Sequence, residues 1–237
     1  MSIFQTTTDF DSEGYKKARF HYLLQILFGE SLAIDYCKTI AEFAPNTAAR
    51  DFLLKQQREE EKHLELLTDY VSNIDRPHVP ISKNMRKLHV VMDKALEEKN
   101  YTKSIFVQNF IVEGLVITLL EEMSKHGDVG LKKICDDIIS DELRHVQFGV
   151  DQLREILSEN NDKVYSELIK IQRKTLIPAI LLFFNLAVDA KKLGIAWDEL
   201  AQKTIEKHNQ HIDGAGLHLP LFDKVFLIIC VWVLKIV

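Results

Sequence analysis

Apolar side chains recur at every third or fourth position over four long stretches of the chain, the spacing that places them on one face of an α-helix. These stretches lie at about residues 15–43, 47–74, 102–125 and 128–157. A shorter amphipathic stretch at 81–99 connects the second to the third, with Ser82 as its expected N-cap and Asn100 at its end. Thr47 is the expected N-cap of the second long helix. The pattern therefore predicts a chain built from long helices.

The last third of the chain predicts two or three further helices. Residues 176–188 are apolar almost all round, so we expect this segment to pack inside the protein, with a kink at Pro178. A loop is expected at 213–216. Because no linker-like composition separates this part from the rest, we predict one domain over residues 1–237. Its bundle covers about 15–157 and its additional C-terminal helices about 163–237.

Each of the four long stretches carries a glutamate inside its apolar face. Glu30 has apolar residues three, four and seven positions away on both sides, and Glu113 lies in an equally apolar stretch. Glu60 and Glu142 each precede a histidine by three residues. Three residues on a helix correspond to about 300° of rotation, so each glutamate shares a face with its histidine. The near-equal separations of Glu30 from Glu60 and of Glu113 from Glu142 indicate a helical hairpin used twice.

Four carboxylates and two imidazoles on four helices form the ligand set of the dimetal carboxylate bundles. The predicted ligands are Glu30, Glu60, His63, Glu113, Glu142 and His145. Four close glutamates in a bundle core would repel one another and take up protons, whereas two divalent cations would neutralise them. Mixed carboxylate and imidazole ligands suit iron or manganese better than zinc. We therefore predict two iron ions, with manganese as the alternative, and O₂ as co-substrate.

Each ligating histidine needs a partner for its second ring nitrogen, normally a carboxylate. Asp141 and Glu59 each precede a predicted ligand, and we expect each to bond the histidine of the opposite hairpin. A single Glu-x-x-His motif is usually a solvated face, so the hypothesis depends on two such motifs occurring with two buried glutamates. His208-x-x-His211 has the same spacing, but it lies in a polar segment beside a loop and is expected to be exposed.

Composition limits the function further. The 237 residues carry a net charge of −5 with no basic block, which argues against nucleic-acid binding. Cys37, Cys135 and Cys230 are far apart, so they predict neither a disulfide framework nor a Cys-x-x-Cys iron centre and suit the cytoplasm. The N-terminus lacks the features of a secretion signal. The longest apolar run, 225–234, is too short to span a bilayer, so we predict no transmembrane segment. We expect 225–237 to pack on the bundle or at a subunit contact rather than on a membrane surface.

The chain resembles the long-chain aldehyde-deformylating oxygenases of cyanobacteria, also called aldehyde decarbonylases, within the ferritin-like superfamily. The resemblance rests on segments 9–18 and 106–113, the Gly29-Glu30 pair, Glu60-x-x-His63, and Asp141-Glu142-x-x-His145-x-x-Phe148-Gly149. It covers most of the chain and weakens after about Gly194. It implies an all-α fold: a ferritin-like four-helix bundle with a dimetal carboxylate site, plus additional C-terminal helices.

The resemblance also implies that all six predicted ligands hold two irons, with O₂ and an external electron donor such as ferredoxin. A fatty aldehyde would lie in an apolar tunnel and be cleaved to formate and an alkane one carbon shorter. Phe28, Phe110 and Ile117 lie next to or one turn from predicted ligands and are candidates for the pocket wall. The chain departs from the family at Leu120 and Met123, where the family has tyrosines, and it lacks the family's cysteine near the end of the second helix.

Two other functions compete with this one. A ferroxidase or iron-handling protein would bind no organic substrate and predicts only a small pocket at the metals, whereas an oxygenase predicts a long apolar tunnel. A hydroxylase or N-oxygenase would act on another apolar substrate. Some N-oxygenating relatives use a seventh ligand, a histidine at the position of Ile138 in this chain. A ribonucleotide reductase radical subunit would place a tyrosine where this chain has Leu67.

Overall fold

The computed structural model describes residues 10, 12–159, 162–221 and 223, and the predicted packing of the run 225–237 lies outside them. Within this part of the chain the secondary structure is helical and contains no strand. The helices are α1 (Glu13–Glu42), α2 (Thr47–Ser72), α3 (Lys83–Glu97), α4 (Tyr101–His126), α5 (Val129–Ser158), α6 (Asp162–Leu193) and α7 (Trp197–Gly214). The predicted all-α class is confirmed.

Two antiparallel hairpins form the bundle. α1 pairs with α2, α4 pairs with α5, and the hairpins meet where α2 contacts α5. The apolar stripes of these helices face one another, which explains why the four predicted helices associate. α6 packs along α1 and α3, and α7 packs on α4, α5 and α6. The later helices therefore cover one side of the bundle, beside α4.

Helix α4 contains a π-helical segment, Phe106–Val112, between two α-helical parts, Tyr101–Ile105 and Glu113–His126. By length and composition α4 is the single helix in the described residues that is apolar enough to cross a membrane. Its most apolar window, however, is 78% buried inside the protein. The apolar composition of α4 is explained by its place in the core of the bundle.

Side-chain caps set the start of most helices. Ser82 caps α3 as predicted, with its hydroxyl accepting the N–H of Asn84. The prediction of Thr47 as a cap was wrong: Asn46 has the extended backbone that an N-cap requires, and its side chain accepts the N–H of Ala49 at 2.9 Å. Asn100 closes α3 as predicted, because its backbone N–H bonds the carbonyl of Ala95 at 3.1 Å, and its side chain also caps the start of α4.

Helix α6 is continuous through Pro178, but it is not buried all round. Ile177, Leu181 and Val188 are 54%, 39% and 68% exposed. The prediction that residues 176–188 pack entirely inside was therefore wrong, because only the face of α6 that meets the bundle and α7 is covered. The predicted loop at 213–216 begins later than expected, since α7 extends to Gly214.

Candidate metal centre

The structure brings all six predicted ligands into one cluster in the bundle core. They are Glu30 on α1, Glu60 and His63 on α2, Glu113 on α4, and Glu142 and His145 on α5. Each side chain is at most 3% exposed. The helical period accounts for this convergence, because every ligand lies on the apolar face that its helix turns to the bundle axis.

The cluster divides into two overlapping groups whose ligand atoms lie within 4.8 Å of one another. Glu30 and His63 belong to one group, and Glu113 and His145 to the other. Glu60 and Glu142 belong to both. The carboxylates of Glu60 and Glu142 are therefore placed to bridge two ions, and each ion would have one further carboxylate and one imidazole.

Both imidazoles direct Nδ1 into the cluster. His63 Nδ1 lies 3.2 Å from Glu142 Oε1 and 3.3 Å from Glu60 Oε2. His145 Nδ1 lies 3.2 Å from Glu60 Oε1 and 3.1 Å from Glu142 Oε2. A lone pair on each Nδ1 is thus available to an ion that sits between the carboxylates.

The other ring nitrogens reach carboxylates of the opposite hairpin. His63 Nε2 lies 3.2 Å from Asp141 Oδ2, and His145 Nε2 lies 3.0 Å from Glu59 Oε2. This is where we expected Asp141 and Glu59. Arg144, which sequence reasoning missed, donates to Glu59 at 2.8 Å and also to Asp141. Its only sequence signal is its place next to His145.

The electrostatics of the cluster fit a metal. Burial raises the pKa of Glu30 and of Glu113 well above the usual range, and the neighbouring Glu60 and Glu142 carboxylates raise both further. Burial lowers the pKa of His145, but hydrogen bonds to Glu142, Glu59 and Glu60 outweigh burial and raise it to about 12. Protons would otherwise have to supply the positive charge that two divalent cations bring.

Two buried carboxylate oxygens also lack a hydrogen-bond donor. Among the described residues neither Glu30 Oε2 nor Glu142 Oε1 accepts a hydrogen bond, although His63 Nδ1 lies 3.4 Å from the first and 3.2 Å from the second. A buried carboxylate oxygen without a partner is costly, and a bound cation satisfies it. The residues present therefore fit a pair of divalent ions, and carboxylate with imidazole is a donor set suited to iron and manganese.

A buried amide network, which sequence reasoning missed, holds Glu113. Its Oε1 accepts from Gln56 Nε2 at 3.0 Å and from Gln108 Nε2 at 2.7 Å. Asn109 Nδ2 donates in turn to Gln56 Oε1 at 2.7 Å. Gln56 had a signal, because it is a polar residue on the apolar face of α2 one turn before Glu60.

An apolar cavity lies beside α4, closed on its other sides by α6 and α7. Its volume is about 60 Å³, and it opens in part to solvent. Its wall includes Gly114, Leu115, Leu176, Ala179, Ile180 and Ile205. Gly114 directly follows Glu113, so the cavity borders the helix turn that carries a predicted ligand.

The three residues proposed for the pocket wall do not line this cavity. Phe28 is half-buried and meets His89 edge-on, with ring centroids 6.2 Å apart. Ile117 is buried in the core. Phe110 is buried behind the cavity wall, where its ring lies 5.7 Å from that of His208. These residues were chosen for closeness to ligands along the helices, which does not reveal the space left by α6 and α7.

The prediction that His208 and His211 are exposed was wrong. Both line the cavity, on the face of α7 that packs on α4. Their charged sequence neighbours, among them Glu206 and Lys207, occupy other faces of the same helix. Local polarity of the sequence therefore misrepresents their position.

Known proteins share both sequence and fold with this chain. A family model described as long-chain fatty aldehyde decarbonylase matches residues 12–220. A solved structure titled as a protein with aldehyde deformylating oxidase activity from Synechococcus matches with a TM-score of 0.80 and 19% identity, covering 93% of this chain and 99% of that one. Two mutants of an R2-like ligand-binding oxidase with reconstituted Mn/Fe cofactors match with a TM-score of 0.74 and 17% identity, covering 86% of this chain and 81% of theirs. The predicted ferritin-like fold is confirmed.

Proposed function

The chain belongs to the long-chain fatty aldehyde decarbonylase family, and from that membership we propose that it cleaves a fatty aldehyde with O₂ to formate and an alkane one carbon shorter. Family membership and the buried carboxylate and imidazole cluster identify it as a dimetal oxygenase. Aldehyde cleavage to alkane and formate is itself redox-neutral. The electrons that reduce O₂ therefore come from an external donor, for which we propose a ferredoxin.

The cavity beside Glu113 is the observation that supports an organic substrate. Aliphatic side chains such as Leu115, Ala179 and Ile180 form much of its wall, which is the kind of surface that a fatty chain would contact. A ferroxidase would need space for iron and O₂ alone. A fatty chain in this cavity would remove apolar surface from water, which stabilises the complex by about 25 cal/mol for each Å² buried.

We assign Glu30 and His63 to one metal ion, Glu113 and His145 to the other, and Glu60 with Glu142 to both. Two bound irons, or iron with manganese, would supply electrons to O₂ and Lewis acidity toward the carbonyl group. The protein's own part is to hold and orient these ligands. No side chain is needed as a nucleophile.

The supporting residues orient the ligands. Asp141 and Glu59 accept the Nε2–H of the two histidines, which leaves each Nδ1 free for metal. Gln56 and Gln108 hold one oxygen of Glu113. Helices α6 and α7 close the cavity on the side away from α4 and so limit the access of water to the reacting carbon.

We place this reaction in the cytoplasm and in a single domain. Cys37 and Cys135 are free and buried, as suits a reducing compartment. Surface residues of the metal-bearing hairpins, rather than a second domain, would then receive the electron donor. Arg144, on the outer side of Glu59 and Asp141, is the exposed group nearest to the histidine partners.

The test is turnover of the iron-loaded protein with a saturated long-chain aldehyde, O₂ and a chemical reductant. Gas chromatography with mass spectrometry should find the alkane one carbon shorter, with an equal amount of formate. Glu113→Ala should form neither, whereas Glu61→Ala, which changes an exposed carboxylate on α2, should keep full activity. Hydroxylated or N-oxygenated products would support the hydroxylase class. Iron oxidation with O₂ consumption but no organic product would support a ferroxidase.

A further inference from the structure

One end of the cavity is polar in a way that the proposed reaction does not use. Gln172 on α6 is only 1% exposed and lines the cavity, yet its Oε1 has no hydrogen-bond partner. His211 on α7 lines the same cavity, and its buried Nδ1 also has no partner. Two unpaired polar atoms in a mostly apolar wall destabilise the protein unless something binds them.

The free atom on Gln172 does not depend on how its amide is assigned. Gln172 Nε2 lies 2.6 Å from His208 Nε2, so the amide N–H donates to the unprotonated ring nitrogen. If the amide oxygen and nitrogen were exchanged, the oxygen would accept from His208 and the nitrogen would be left without a partner. In either arrangement one hydrogen-bonding position of the amide remains open to a ligand.

The polar end carries no charge. Among the described residues, no Asp, Glu, Lys or Arg lines the cavity. Burial, reinforced by His211, lowers the pKa of His208 to about 4, and burial also lowers the pKa of His211. Both imidazoles are therefore neutral at neutral pH. A carboxylate or ammonium group would find no counter-ion here, whereas a neutral oxygen-bearing group would lose little on leaving water.

The polar and apolar ends are separated along the helices. α6 and α7 run antiparallel, because Gln172 meets His208 while Phe183 meets Trp197, with ring centroids 5.6 Å apart. Ala201 at the apolar end is ten positions before His211, which corresponds to about 15 Å along a helix. The cavity thus has one polar and one apolar end, as an amphiphile does.

The polar end also lies near the metal centre. A Cβ built on Gly114 would be 3.6 Å from His211 Nδ1, so the imidazole packs directly against the residue that follows Glu113. The ring of Phe110, one turn earlier on α4, contacts His211 as well, at 6.0 Å between centroids. A head group at this end would therefore lie beside the turn of α4 that carries a metal ligand.

We propose that Gln172 and His211 bind the neutral, oxygen-bearing head group of a long-chain substrate, and that the face of α6 from Leu176 to Phe183 holds its tail. The inference rests on the proposed function in taking that head group to be an aldehyde. It gives the site a preference for aldehydes and alcohols over fatty acids. It also means that the alkane product, which has no oxygen, leaves both polar atoms unpaired and so binds less well than the substrate.

The test measures binding rather than turnover. Dissociation constants for dodecanol and dodecane are measured by displacement of a fluorescent fatty probe from the metal-loaded protein, and the ratio of the two constants is compared between proteins. In Gln172→Leu and in His211→Leu the preference for dodecanol should fall about tenfold, because an unpaired buried polar group no longer favours the alcohol. Gln202→Leu, an exposed position on α7, should leave the ratio unchanged.

Each variant is checked by its thermal unfolding, and Gln172→Met replaces Gln172→Leu if the latter does not fold. An unchanged ratio in both the Gln172 and His211 variants would overturn the inference. A protein that forms no alkane but loses its alcohol preference in these variants would contradict the proposed function and support the binding site. A protein that forms alkane but keeps its alcohol preference in these variants would support the proposed function and contradict the binding site.

Discussion

Removal of the metal ions should destabilise the protein strongly, since the cluster is built to be neutralised. An ion present at one hundred times its dissociation constant adds about 2.7 kcal/mol to the free energy of unfolding, so two ions add about 5.4 kcal/mol. For a chain of this length each kcal/mol shifts the melting temperature by about 2–4 °C. We expect Fe(II) or Mn(II) to raise the melting temperature of the chelator-treated protein by about 10–20 °C.

Because some ligands belong to one ion and others to both, variants of different ligands should lose different amounts of the metal-induced rise in melting temperature. Glu113 belongs to one of the two groups, so Glu113→Ala should keep one strongly bound ion and about half of the stabilisation. Glu142 belongs to both, so Glu142→Ala should lose most of the stabilisation and of the bound metal. Glu61→Ala should behave as the unmodified protein, because Glu61 is exposed on α2.

The assay combines thermal unfolding followed by circular dichroism with metal content from mass spectrometry, at one pH and under anaerobic conditions. Two ions per chain are expected for the unmodified protein. A melting temperature that does not respond to Fe(II) and Mn(II) would refute the reasoning. So would equal metal contents in Glu113→Ala and Glu142→Ala, because the two carboxylates would then not differ in the number of ions they contact.

Three further changes test the surroundings of the site. Asp141→Ala should keep two ions at saturation but weaken metal affinity about 10–100-fold in a chelator competition, and an unchanged affinity would show that the carboxylate does not orient its histidine. A hydrogen bond from His21 outweighs burial and lowers the pKa of Asp189. The stabilisation that the ionised Asp189 provides is therefore fully present above the ordinary Asp pKa, and it is lost as the pH falls through the pKa of Asp189 in the folded protein. Asp189→Asn should therefore cost about 1–2 kcal/mol in urea unfolding at pH 7 and progressively less as the pH falls below the ordinary Asp pKa, and a loss that does not change with pH would contradict this. A methyl group on Gly149 would lie 2.8 Å from Asn109 Cβ, so Gly149→Ala should cost about 1–3 kcal/mol in the same assay, and an unaffected stability would mean that α4 and α5 separate easily.

Hydrophobic periodicity was sufficient to predict the helices that carry the six candidate ligands. The reason is that each ligand belongs to the face its helix buries, and a buried face repeats with the helical period. The positions of Asp141 and Glu59 followed from the same geometry together with the need of a histidine for a second partner. Predictions at helix ends were weaker. Asn46 and Thr47 are both good caps by residue type, and only the backbone conformation distinguishes them.

The cavity could not be predicted from the sequence in this way. Its wall combines α4 with α6 and α7. Where two helices that are distant in the chain pack against each other, the space left between them produces no periodic pattern in the sequence of either helix. His208 and His211 illustrate the difficulty, since the sequence around them is polar while their own side chains face the cavity. Ile177 and Val188 illustrate the converse, because they are apolar and exposed.

The π-helical segment explains why Gln108 was also missed, and what it does. In a regular α-helix, residues five apart differ by about 140° around the axis, so Gln108 and Glu113 would point in different directions. Here the N–H of Glu113 bonds the carbonyl of Gln108, the five-residue step of a π-helix, and the two side chains meet at 2.7 Å. No sequence rule based on 3.6 residues per turn would pair them.

This pairing makes the two halves of the candidate metal centre unequal. Glu113 Oε1 accepts hydrogen bonds from both Gln56 and Gln108, whereas Glu30 Oε2 accepts none among the described residues and has only His63 Nδ1 beside it, at 3.4 Å. The ion at Glu113 would therefore have a ligand of restricted orientation, and the ion at Glu30 one that can reorient. The restricted carboxylate is the one beside Gly114 and the cavity. A substrate that enters there would meet the rigid half of the site, while changes in coordination could be taken up by Glu30 on the opposite hairpin.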